Sequence, residues 1–232
     1  MKLINELLGY RQFKDQTLPQ FLLQLRQHGV KISSGSFAVA VIAEHKVYKL
    51  WLHDYAYDMY IKRVIIPLQG NPLVPVILKK PHEIPLVLRD QKPGVKVMVL
   101  ERLGRTESTA YEINMLTDVY KLFELKLTWE ELATSRRARK FKELIAYINN
   151  RLYRNDFVAW FNLCVREMGH FKPDGNYENI MVRGDTQPVF IDPFYDLGDA
   201  NDIRSNKLLT LADLGAKRDW TMLDSNLIGT SI

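Results

Sequence analysis

Gly169-His170-Phe171-Lys172-Pro173-Asp174-Gly175-Asn176-Tyr177-Glu178-Asn179-Ile180-Met181-Val182, followed by Arg183 to Pro188 and then Val189-Phe190-Ile191-Asp192, orders the reading of the whole chain. Two short apolar runs, Ile180 to Val182 and Val189 to Ile191, flank a polar turn containing Gly184 and Asp185, which predicts a β-hairpin. Asn179 stands just before the first strand and Asp192 just after the second. Antiparallel pairing therefore brings both side chains to the same end of the hairpin. A carboxamide and a carboxylate converging from strands are hard oxygen ligands of the kind Mg²⁺ accepts. Asp174 lies in the loop feeding that end, placed to act on a nucleophile beside such a metal. Each residue alone also has an ordinary reading: Asp174-Gly175 is a common turn pair, and Asn179 and Asp192 can simply cap hairpin ends.

Upstream of this stretch the chain reads as helical back to Gly104. Thr109-x-x-Glu112 and Thr128-x-x-Glu131 look like capping boxes. Ile113, Leu116, Tyr120 and Phe123 fall at helical spacing, as do Phe141, Leu144, Ile145 and Ile148. Asp156 is expected to cap a third helix running to Met168, with Gly169 just past its end. Before Gly104 the pattern is different. Leu18, Phe21, Leu22 and Leu25 share a helical face that Gly29 ends. Phe37, Val39 and Val41 then alternate, and Lys46 to Leu50 resumes after the turn Ala43-Glu44-His45, a second hairpin. Tyr55 to Ile66 reads as a short helix closed by Pro67. Val74 to Leu78, Leu86 to Leu88 and Val95 to Leu100 read as strands. A β-rich part, 1–103, followed by a helical part, 104–232, is an α+β arrangement.

Composition narrows the class. The chain has 232 residues and a formal charge of +5, with 47% hydrophobic and 25% charged residues, ordinary values for a globular protein rather than a disordered one. Cys164 is the only cysteine, so an internal disulfide and a thiolate zinc site are excluded, and within its apolar run it reads as packing. His28, His45, His53 and His82 show no ligand spacing, and Trp51, Trp129, Trp160 and Trp220 read as buried anchors. The most apolar stretch, Val64 to Leu78, is broken by Pro67, Pro72 and Pro75 and is too short to span a bilayer. Asn5 and Glu6 fall where a signal peptide needs an apolar run. The expectation is a cytoplasmic protein without a membrane partner. Arg136-Arg137-Ala138-Arg139-Lys140, with Lys142, lies on an expected helix. It reads either as a solvated face or as a docking patch for an acidic protein or RNA, although a charge of +5 is too modest to indicate nucleic-acid binding.

Asp-x-x-x-x-Asn followed by an Asp after an apolar strand resembles the catalytic loop and metal-binding Asp of the protein-kinase-like superfamily. Gly35-Ser36-Phe37 followed by Val47-Tyr48-Lys49 is similar to its glycine-rich hairpin and strand lysine. Val97-Met98-Val99-Leu100-Glu101-Arg102-Leu103 is similar to the strand entering its hinge. Within the superfamily the chain most resembles the early Ser/Thr protein kinases of T7-like bacteriophages, in the Gly-x-Phe turn, the Val-x-Lys strand, Asn179-Ile180-Met181 and Phe190-Ile191-Asp192-Pro193. The resemblance implies a bilobal kinase-like fold that binds ATP and Mg²⁺. Lys49 would pair with the α- and β-phosphates, and the backbone near Gly35 and Ser36 would cover them. The main chain at Glu101 and Leu103 would read the adenine edge. Asn179 and Asp192 would hold metal, and Asp174 would orient the substrate hydroxyl and accept its proton.

Several positions depart from that pattern. Ser33 and Ala38 replace two glycines of the loop, and Lys172 stands where the superfamily has His, with His170 nearby. Asn176 replaces a Lys, and Pro193-Phe194 follows Asp192 in place of Phe-Gly. The helix after Lys49 has no Glu, leaving either Asp54 or Asp58 as the acidic partner of Lys49 or no such ion pair. With 232 − 192 = 40 residues after Asp192, the activation segment and lower helices are expected to be compressed. The resemblance also implies phosphorylation of host proteins, including RNA polymerase and RNA-processing enzymes, and a link to host transcription shutoff. Two alternatives stand beside it. One is a small-molecule phosphotransferase similar to aminoglycoside and choline kinases, with Asp196, Asp199 and Asp202 meeting a cationic substrate. The other is a kinase-shaped inhibitor binding a host enzyme through its basic helix.

Overall fold

The computed structural model describes residue 27 and residues 31–34, 38–51, 54–84, 95–105, 110–184 and 186–197. The expected leading helix, the turn Gly35-Ser36-Phe37, the run Leu86 to Leu88, the cap Thr109, and His28, His53, Asp185, Asp199, Asp202 and Trp220 lie outside the described residues. The architecture is α+β. The described residues divide into two compact units, with Asp54 and earlier residues joined by Ile77–Arg102 in one, and Tyr55–Val76 joined by Leu103 onward in the other. A division thus falls next to Gly104, but Tyr55–Val76, read from sequence as part of the first half, belongs to the second unit.

The first unit holds a five-stranded sheet of β1 (Lys31–Ser34), β2 (Ala38–Ile42), β3 (Lys46–Trp51), β4 (Ile77–Ile84) and β5 (Val95–Glu101). Every neighbouring pair is antiparallel, in the order β1-β2-β3-β5-β4. Val39, Val41, Tyr48, Leu50, Val95 and Val97 are buried, the alternation expected of strands with one face on a core. The Ala43 N–H donates to the Lys46 carbonyl at 2.9 Å and closes the turn between β2 and β3. The Arg102 guanidinium braces that turn by donating to the Glu44 carbonyl at 3.0 Å.

One strand differs from its expectation. Val74 is buried in the turn before β4, and the strand instead runs from Ile77 to Ile84, straight through Pro81. A proline cannot donate to a ladder, but β4 is an edge strand, and its register shifts twice before His82. Edge position and bulging are the settings in which strand proline is tolerated.

In the second unit α1 (Tyr55–Tyr60) continues into a π turn (Ile61–Ile65), where the Ile66 N–H reaches the Ile61 carbonyl at 2.9 Å. There follow β6 (Gly104–Arg105), α2 (Ala110–Phe123), α3 (Trp129–Thr134), a 3-10 segment (Arg136–Phe141), α4 (Lys142–Asn149) and α5 (Arg154–Glu167). Next come β7 (Lys172–Pro173), a 3-10 turn (Tyr177–Asn179), β8 (Ile180–Arg183), β9 (Gln187–Phe190) and β10 (Phe194–Tyr195). Gly104 does not open a helix. It pairs with Val182 and adds β6 to the expected hairpin as a third strand. Asp156 is not a cap, because α5 starts two residues earlier, at Arg154. It sits in the first turn, where a negative charge favours the helix dipole. Gly169 takes φ +54 just beyond the end of α5.

Aromatic rings build the core of this unit. Phe190 stacks on Trp160 with centroids 4.0 Å apart, and Phe123 stacks on Phe161 at 4.8 Å. Truncating one such buried ring costs about 3–5 kcal/mol. Cys164 is fully buried among them, and burial pushes its thiol well above the ordinary range, as a packing residue requires. Among the described residues no helix is long and apolar enough to cross a membrane.

Candidate functional site

The expected hairpin forms with the register Ile180↔Phe190, Met181↔Val189, Val182↔Pro188 and Arg183↔Gln187. Gly184 turns it at φ +61, a left-handed conformation that costs a side-chain-bearing residue about 1–2 kcal/mol. Below the last pair, the Ile191 N–H donates to the Asn179 carbonyl at 2.9 Å. Asn179 and Asp192 therefore leave the same end of the hairpin, both half-buried.

Asp174 is brought to that end by backbone pairing. Its N–H donates to the Pro193 carbonyl at 2.8 Å, and β7 pairs with β10 through Pro173↔Phe194 and Lys172↔Tyr195. The Asp174 carboxylate accepts from the Asn179 Nδ2 at 2.9 Å and from the Asn176 N–H at 3.3 Å. With its amide nitrogen so used, the Oδ1 is the acceptor atom of the Asn179 side chain. Asn176 in turn caps the following 3-10 turn, its Oδ1 accepting from the Glu178 N–H at 3.0 Å.

The hairpin is anchored from behind. The Arg183 guanidinium donates to the Pro72 carbonyl at 2.7 Å and the Val74 carbonyl at 3.0 Å, and the Phe190 N–H donates to the Leu73 carbonyl at 2.9 Å. Tyr60 donates its hydroxyl to the Phe190 carbonyl at 2.8 Å and accepts from the Trp160 indole at 3.0 Å. Burial raises the Tyr60 phenol well above its usual range, so it stays protonated and able to donate.

Tyr120, on α2, carries no chemistry signal in the sequence, where it is one apolar position among several. In the structure it is fully buried, its ring edge meets Phe190 at 6.1 Å, and a side chain on Gly175 would touch its Cβ at 4.0 Å. Its hydroxyl has no hydrogen-bond partner among the described residues. Burial raises the phenol well above its usual range, and the charges of Asp174 and Asp192 raise it further.

Two of the other expected residues, Lys49 and Glu101, lie on the sheet of the first unit. Lys49 is half-buried on the central strand β3, between Ala40 of β2 and Met98 of β5. Glu101 ends β5 opposite Lys46, and Leu103, which opens the second unit, is buried. Gly35 and Ser36 lie outside the described residues. Of the two acids offered to Lys49, Asp54 is buried in the same unit and Asp58 is on α1 in the second. Asp196, considered for a cationic substrate, pairs with His170 at 3.3 Å.

Among the described residues no three or more His, Cys, Asp or Glu side chains cluster as a metal cage. The donors at the hairpin end are instead one carboxylate and one carboxamide. That set suits Mg²⁺, which holds its waters tightly and takes one or two protein oxygens plus substrate phosphates. No protein-family profile matches the chain, and no curated protein matches it in sequence.

Proposed function

We propose that this chain is an ATP- and Mg²⁺-dependent phosphotransferase of the bilobal protein-kinase-like class, acting on Ser or Thr hydroxyls of proteins. The observation that carries the reading is the 2.9 Å bond from the Asn179 amide to the Asp174 carboxylate, at the hairpin end where Asp192 also emerges. Phosphoryl transfer needs positioned charge more than covalent help, and backbone bonds from Asp174 to the Pro193 carbonyl and from Ile191 to the Asn179 carbonyl tie together the segments that carry these side chains. Asp174 accepts the proton of the attacking hydroxyl. The new O–P bond forms as the bond from the γ-phosphorus to its bridging oxygen breaks, and ADP leaves. The Asn179 amide and the Asn176 N–H keep the carboxylate aimed. Mg²⁺ held by the Asn179 Oδ1 and the Asp192 carboxylate would neutralise charge on the phosphate oxygens. Lys49 serves the α- and β-phosphates, and the backbone at Glu101 and Leu103 the adenine. Following the resemblance to the phage kinases, the substrates are host cytoplasmic proteins of the transcription or RNA-processing machinery.

The test is transfer of labelled γ-phosphate from ATP to proteins in a bacterial lysate, with and without Mg²⁺. Wild type should label discrete bands, while Asp174→Ala and Asp192→Ala should lose at least about a hundredfold, the scale of removing a general base. Equal labelling by wild type and both variants would refute the assignment. Metal-dependent ATP consumption without protein label would replace it with small-molecule phosphotransfer.

A further inference from the structure

The basic run, expected on a helix, forms a 3-10 segment, and that geometry sorts its side chains. With three residues per turn, positions three apart line up in rows. Ala138 and Phe141 form one row and are 1% and 6% exposed, so this row faces the protein. Arg136 and Arg139 make a second row, and Arg137 and Lys140 make a third; Lys142 opens α4 directly after them. All of these cations are exposed. None of their side chains forms an ion pair or hydrogen bond with a described residue; Lys140 only rests over the Phe141 ring, 4.9 Å from its centre. Glu143, in the first turn of α4, follows with the opposite charge.

We infer that these two rows dock an extended, acidic segment of a protein partner, which under the reading above is a substrate. At a rise of about 2 Å per residue, successive cations in a row stand about 6 Å apart. Alternate side chains on one face of an extended peptide stand about 6.6 Å apart. A strand with Asp or Glu at every second position therefore matches the row of Arg136 and Arg139. Single-stranded RNA commonly adds the stacking of its bases on exposed aromatic rings to such charge contacts. The segment offers none, because Phe141 is buried, and the nearby Tyr147 ring on α4 is covered by Arg151 at 4.0 Å. Helix α2 packs against this segment and also against β7 and the Tyr177–Asn179 turn, so the rows and Asp174 are supported by one helix. Exposed charges of this kind act mainly on association rate and specificity, and they are screened by salt.

The test uses the full chain without nucleotide or Mg²⁺. A fluorescein-labelled peptide of alternating Glu and Ser is followed by anisotropy in about 50 mM salt, beside a Lys/Ser peptide and a uridine oligonucleotide of equal length. The Glu/Ser peptide should bind, the Lys/Ser peptide should not, and binding should weaken at least about tenfold at physiological salt. Arg136→Glu/Arg139→Glu should abolish it, and Arg136→Gln/Arg139→Gln should weaken it at least about fivefold with an unchanged unfolding temperature. No peptide binding, or binding indifferent to both double variants, would overturn the inference. Tighter, row-dependent binding of the oligonucleotide would overturn it in favour of RNA. Because nothing here requires ATP, failure of docking leaves the phosphotransfer reading standing, and failure of phosphotransfer leaves the docking result standing.

Discussion

A buried hydroxyl without a partner costs about 1–3 kcal/mol, so Tyr120 is an expensive residue at its position. Phenylalanine would fill the same space against Phe190 and Gly175 without that cost. Tyr120→Phe should therefore raise stability by about 1 kcal/mol, read as a higher urea midpoint at unchanged slope. A loss of stability would show that the hydroxyl is bonded after all. Asp174, Asn179 and Asp192 were legible in the sequence because their chemistry is in their side chains and their spacing fits one hairpin. Tyr120 was not, since at helical spacing beside Leu116 and Phe123 its ring announces only a core position. Its relation to the two carboxylates arises from how α2 packs, which no local pattern encodes.

Short elements show the same contrast between local and distant causes. The box at the start of α3 was readable because both of its partners lie within one turn. The Glu131 carboxylate accepts from the Thr128 N–H at 2.8 Å, and the Glu131 N–H donates to the Thr128 hydroxyl at 3.4 Å. The first of these bonds, with help from the Thr128 hydroxyl, holds Glu131 below the ordinary glutamate range. A carboxyl lowered in the folded state adds stability above its unfolded pKa, about 4.3, and loses it as pH falls through the lower folded value. Protection of the Thr128 amide from hydrogen exchange should therefore fade through that acid window, and Glu131→Gln should remove the pH dependence. A wild-type profile that stays flat there would show that the cap does not depend on charge. The misread elements depended on partners far away in sequence. β6 is two residues long and exists through pairing with β8, and β4 keeps Pro81 because no strand among the described residues pairs on its outer side.

At the scale of the molecule, the assignment of Tyr55–Val76 to the second unit was invisible in sequence, because its ties span 85 to 130 residues. Tyr60 is the tie with the most to lose. It joins α1 to α5 through the Trp160 indole and to β9 through the Phe190 carbonyl, two residues before Asp192. Tyr60→Phe keeps the ring, including its edge contact with Phe194 at 6.0 Å, but leaves a buried N–H and a buried carbonyl without their partner. Each orphaned group costs about 1–3 kcal/mol, so the variant should lose about 2–6 kcal/mol, against about 5–15 kcal/mol for a typical domain. Urea unfolding followed by tryptophan fluorescence should show a lower midpoint with an unchanged slope, the pattern of lost stability without lost compactness. Trp160 loses its hydrogen bond while still stacked on Phe190, so its emission should also shift in the folded state. A change below about 0.5 kcal/mol would mean that stacking and the other bonds of Tyr55–Val76, such as those from Arg183 to the Pro72 and Val74 carbonyls, hold it in place and that the Tyr60 hydroxyl is dispensable.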